Sequence, residues 1–117
     1  MAVQAMRLVL KPAGVDETTA EDKQIILDLL VDEVSGASTG PFPAWGRIGD
    51  FRKAETLVPF TLMMDGRMDT GAYASDAQRQ DFLDIRGAQL GTGKTVMLRS
   101  GEDASEYEIA RMTPLIA

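Results

Sequence analysis

The chain has 117 residues, 44% hydrophobic and 26% charged, which suits a single globular domain, 1–117, large enough to bury a core without staples. It holds no Cys and no His, which removes disulfides, thiolate nucleophiles, imidazole bases and zinc sites of the usual ligand types. The formal charge is −6 and no apolar run approaches the ~20 residues of a membrane-spanning helix, so neither nucleic-acid backbone nor bilayer is an expected partner.

The first element in chain order is AMRLVLKP. Met6, Leu8 and Leu10 alternate with Arg7, Val9 and Lys11, the period of a strand with one buried face. Pro12 and Gly14 end it. This start lacks the charge-first pattern of a secretory leader, so a cytoplasmic location is the expectation.

The segment TTAEDKQIILDLLVDEVSG predicts a long helix over about 18–35. Thr18 and Glu21 fit a capping box, and Gly36 fits a C-terminal stop. On a helical wheel Ile26, Leu27, Leu30, Val31 and Val34 form one wide apolar face, with acids opposite. Ile25 and Leu29 fall among those acids. Residues 16–33 carry seven acids and one base, while the rest of the chain carries eleven of each. Either the helix is buried on more than one side, the commoner case in a small domain, or it presents an acidic, apolar-centred interaction surface of Glu21, Ile25, Asp28, Leu29 and Asp32 to a protein partner of basic character. Asp28, Asp32 and Glu33 have the spacing to hold a divalent cation, but oxygen sites usually also draw on loop carbonyls, and a solvated face is the simpler reading. No metal or cofactor is expected.

Next comes GASTGPFPAWG, an uncharged loop with Phe42 and Trp45, either anchors for a partner or caps on the core. TLVPFTLMMDGRMDT reads as a hairpin turning at Asp65-Gly66, with Pro59 limiting its first strand. Ser75 and Gln78 form a second capping box and predict a short helix; FLDI then opens a strand. KTVMLRS and SEYEIARM predict a closing hairpin, with Val96, Leu98, Tyr107 and Ile109 inward. Together these elements predict an α+β fold: one long capped helix packed on a mostly antiparallel sheet or partly closed β-barrel.

Two motifs carry chemistry on paper. In AQLGTGKT, residues Ala88, Gly93, Lys94 and Thr95 match a loose phosphate-binding loop. That chemistry needs a helix after the lysine, whereas VMLRSG favours a short strand, so a glycine turn is the expectation and Gly93 belongs in it. Asp69-Thr70-Gly71-Ala72 resembles the active-site triplet of retropepsin-like aspartic proteases, which would make Asp69 a catalytic carboxylate in a dimer.

The C-terminal third, DIRGAQLGTGKTVMLRSGEDASEYEIARMTPL, runs strand, glycine turn, TVMLRS, acidic turn, EYEIARMTPL. That cadence resembles the end of small phage head–tail joining proteins. The resemblance implies a small β-barrel and a non-enzymatic, virion-associated component. The functional expectation is therefore a non-enzymatic structural or protein-interaction domain, with a joining-type component as one version. An acidic immunity-like inhibitor and an aspartic peptidase using Asp69 are the alternatives, and a homo-oligomer is left open.

Overall fold

A computed structural model describes residues 3–14, 24–39, 44–50, 52–70, 81–85 and 88–115. They form nine strands: β1 (Val3–Pro12), β2 (Gln24–Asp32), β3 (Ser38–Thr39), β4 (Ala44–Gly49), β5 (Val58–Leu62), β6 (Arg67–Asp69), β7 (Asp81–Asp84), β8 (Thr95–Ser100) and β9 (Asp103–Pro114). The other regular element is a single 3-10 turn, Ala54–Thr56. Every pairing is antiparallel, and the order β1-β9-β8-β7-β6-β5-β4-β2 closes on itself because β1 also pairs with β2. The short β3 shares the β4 edge of β2, pairing at Leu30 and Val31 while β4 pairs at 24–28. The result is an up-and-down barrel of eight strands. An even number lets the first and last strands meet antiparallel and leaves no long edge unpaired.

The expected α+β architecture is thus corrected to an all-β one: among the described residues no long helix packs on a sheet, and most of the expected helix of 18–35 is strand or turn. Its better half, Gln24–Asp32, is strand β2. Ile25, Leu27, Leu29 and Val31 point into the barrel and are buried, while Ile26, Asp28, Leu30 and Asp32 point outward and are partly covered. A strand with apolar residues on both faces yields a plausible helical wheel, because a run of Ile, Leu and Val fills any period. The physical sign was the pair that fitted the wheel badly. Ile25 and Leu29 sat among acids only because they belong to the inward set of a period-2 pattern. Gly36, expected as a helix stop, lies in a turn with φ +76°. The capping boxes at Thr18–Glu21 and Ser75–Gln78 lie outside the described residues.

The remaining strands follow the sequence more closely. On β1, Leu8 and Leu10 are fully buried; Val9 is buried too, at a register shift between Val9 and Leu10 where β1 meets β9. Asp65-Gly66 does reverse the chain between β5 and β6. The loop is wider than a two-residue turn: Gly66 N–H donates to the Met63 carbonyl and Met63 N–H to Arg67, both at 2.9 Å. Pro59 lies where β5 is paired with β4 alone, so its missing N–H breaks no ladder. In the closing hairpin Val96, Tyr107 and Ile109 are buried and Leu98 packs against the core. The AQLGTGKT segment is a turn: Gly93 has φ +90°, and Thr95 opens β8 rather than a helix. Lys94 is exposed, and its backbone is stitched to Ile109 on β9.

The barrel interior is filled by Leu8, Leu10, Ile25, Leu27, Phe60 and Ile109, among others, which is what an eight-stranded barrel can just accommodate. One end is closed by a cross-link. The β2–β3 turn meets the β7–β8 connection, although β2 and β7 stand on opposite sides of the ring. Ser38 N–H donates to the Ala88 carbonyl, Leu90 N–H to Gly36, and Ser38 Oγ to the Ile85 carbonyl, with Ile85 and Leu90 buried beneath.

Candidate functional site: a groove on the outer wall

With the interior filled, chemistry is left to the outside. Directly opposed residues of an antiparallel pair share a face, so the register reads out rows across the wall. One row runs Thr113, Arg7, Asp28, Trp45, Thr61, Asp69 over β9, β1, β2, β4, β5 and β6. The row beside it runs Val9, Ile26, Arg47, Pro59. Neighbouring strands lie about 4.8 Å apart, so these side chains form a continuous strip. Between them lies an open groove of about 560 Å³, lined by Arg7, Asp28, Trp45, Arg47, Thr61 and Asp69 together with apolar neighbours.

Trp45 stands at the centre of the strip. It is the sole tryptophan of the chain and is 66% exposed. Behind it the wall is tight. A Cβ added at Gly46 would lie 2.7 Å from the Phe60 ring and clash with the Ile26 carbonyl. Glycine is required there because the buried Phe60 ring rests against the β4 backbone. Trp45 is therefore carried by a rigid sheet, not by a mobile loop.

To one side, Arg7 forms a two-point ion pair with Asp28: Nε to Oδ1 at 2.8 Å and Nη2 to Oδ2 at 2.9 Å. The carboxylate, through those bonds and its charge, raises the Arg7 pKa further above its ordinary value. The pair is solvent-facing and stabilises the fold by about 1 kcal/mol at most. Its larger effect is to cancel the Asp28 charge and to fix both planar groups beside Trp45. Arg47 is different. It is exposed, its cross-strand neighbours are the apolar Ile26 and Pro59, and it has no ion-pair or hydrogen-bond partner among the described residues.

The structure divides the sequence-predicted surface. Asp28 and Trp45 come together in the groove, joined by Asp69 at the end of β6. Ile25 is fully buried and Leu29 nearly so; both are core residues. Asp32 accepts the backbone N–H groups of Val34 and Ser35, at 2.8 and 3.2 Å, and so holds the β2–β3 turn. Glu21, Phe42 and Gly71 lie outside the described residues. The expected acidic helix face is thus corrected to a strand, on which Asp28 is paired with Arg7 and Asp32 serves a turn. Arg7, Arg47, Pro59 and Thr61 were not among the site residues expected from sequence. The only signal for them is the strand register, which places Arg7 on Asp28 and Arg47 two positions from Trp45 on one face.

Two other polar sites are structural. Asp50, almost fully buried, accepts Arg52 Nε and Arg52 N–H, each at 3.0 Å, at the corner after β4; those hydrogen bonds hold its carboxyl below the usual range. Near the opposite end from the Ser38 cross-link, Ser100 Oγ donates to Asp81, and burial together with the Asp81 charge pushes the Tyr107 phenol up to about 12. No group of three or more acids among the described residues is placed to hold a metal ion, and no described helix is long and apolar enough to cross a membrane. No protein-family model, curated protein or solved structure matches the chain.

Proposed function

We propose that the protein is a non-enzymatic interaction module that seats a protein partner against the outer wall of its barrel, with Trp45 at the centre of the contact. The observation that carries this reading is an isolated tryptophan, 66% exposed, on a rigid strand beside an open groove. Tryptophan and arginine dominate the energetics of protein interfaces, and here both stand on β4 with the same orientation. A sheet-borne anchor loses little conformational entropy on binding, which favours recognition by a preformed face. A joining-type virion component is the narrower form of the reading, supported by the β8–β9 hairpin over 95–114.

Site-specific photo-crosslinking in the source cell tests it. A crosslinker at position 61, in the groove, is expected to trap one discrete partner; one at position 102, in the β8–β9 turn, is not. Trapping from position 61 should fall sharply in a Trp45→Ala background. Equal trapping from both positions, or trapping indifferent to Trp45, would overturn the proposal.

A further inference from the structure

The reading of the Trp45 face leaves its partner's chemistry open, and the groove's charges constrain it. We infer that the partner segment is acidic: it sets a carboxylate on Arg47 and an apolar side chain on Trp45. This rests on the proposal above and deepens it.

The argument is one of compensation. A partner covering Trp45 also removes water from Arg47, two residues along the same face of β4. A guanidinium that loses its water must gain a counter-charge, or binding is opposed by its desolvation. Across both neighbouring strands Arg47 meets only Ile26 and Pro59, while Asp69, the acid at the far end of the groove, stands two strands away on β6 and is itself engaged. Asp28, the nearest acid in the row through Trp45, is already engaged at both oxygens by Arg7. A basic partner would meet no released carboxylate at Asp28 and would be repelled at Arg47. A neutral one would leave the guanidinium buried and unpaired. An acidic segment forms a two-point bond with Arg47, while its apolar neighbour covers the indole. The basic partner expected from the acidic segment 16–33 differs from the one this face calls for, where Asp28 is already paired.

The test is selection from a displayed library of random dodecapeptides on the native protein, with the Trp45→Ala variant as counter-selection. The prediction is that retained peptides carry Asp or Glu beside an aliphatic or aromatic residue. For the best peptide, Arg47→Gln should weaken binding about tenfold or more, the loss of a charge-assisted contact, read from the emission of Trp45. Arg47 is exposed, so this substitution leaves the core intact. Selection of neutral or basic peptides that still depend on Trp45 would overturn the acidic assignment and leave the Trp45 face standing. So would acidic peptides indifferent to Arg47→Gln. If no peptide depended on Trp45, both readings would fall.

Discussion

Two walls of the barrel differ in how they are held. In the β9-β1-β2 wall, β1 pairs with β2 over residues 3–10 and with β9 over 6–12, and its inward Leu8 and Leu10 are fully buried. In the β5-β6-β7 wall, β6 spans Arg67–Asp69 and, among the described residues, pairs with β5 through Met68 and Asp69 and with β7 through Arg67 and Met68. Both walls bury core residues, Phe60, Leu62, Met68 and Leu83 in the second, but the described ladder of its central strand is much shorter. The groove runs from Arg7 on the first to Asp69 on the second, with Trp45 between them. The groove proposed above to seat a partner therefore spans both walls.

The largest expected effect separates the walls directly. Leu10→Ala should destabilise by about 2–5 kcal/mol, as large-to-small changes at buried sites do, and Met68→Ala should fall at the low end of that range. Urea unfolding of both variants checks the order; equal losses would erase the distinction. Hydrogen exchange gives the finer version. Amides of 6–10 and 25–31 should open only with global unfolding, while those of 67–69 should open locally at lower free energy.

A second effect belongs to β4, between the two walls. Gly46→Ala forces a methyl against the Ile26 carbonyl and the Phe60 ring, and overpacking of this kind costs about 1–3 kcal/mol. Differential scanning calorimetry should show a lowered Tm. Phe60→Leu should restore only part of the loss, because the Ile26 carbonyl still blocks the methyl, and an unchanged Tm would refute the close approach.

A third effect is set by pH. The Tyr107 pKa is about 12 in the folded protein against about 10 unfolded. The folded state holds the proton longer, so this stabilisation is complete below pH 10 and is lost as pH rises towards 12, by about 2 kcal/mol. Tyr107→Phe should flatten stability over that window. Asp50 has the opposite sign. Its carboxyl is held below the usual range, so its contribution is present above about pH 4 and is lost as acid protonates the folded form. Acid titration of Asp50→Asn beside the parent checks it.

The smallest effect is expected at the Arg7–Asp28 pair. A double-mutant cycle should return about 1 kcal/mol or less, shrinking with added salt. A coupling several times larger would mean that the pair helps hold β1 to β2 rather than merely neutralising the groove.

How much of this was legible in the sequence depends on the period of each segment. Where inward and outward residues alternate apolar with polar, as in SEYEIARM, the strand and its buried Tyr107 and Ile109 could be read directly. Where both faces are apolar, as in QIILDLLVD, composition hides the period, and local capping signals pulled the reading towards a helix. Trp45 and Asp28 were legible as separate candidates. Their meeting was not, because adjacency across a barrel is fixed by register between strands, which no local pattern encodes. Arg47 carried no signal of its own until Ile26 and Pro59 were seen on either side of it.

The most direct test of the Trp45 face uses the chain's only tryptophan as its own reporter. Acrylamide quenching should be efficient in the free protein, since Trp45 is 66% exposed. In the complex isolated from the source cell with a tryptophan-free partner segment, quenching should fall and the emission should shift to the blue. Equal quenching in the free and bound states would place the contact elsewhere on the barrel and contradict the account.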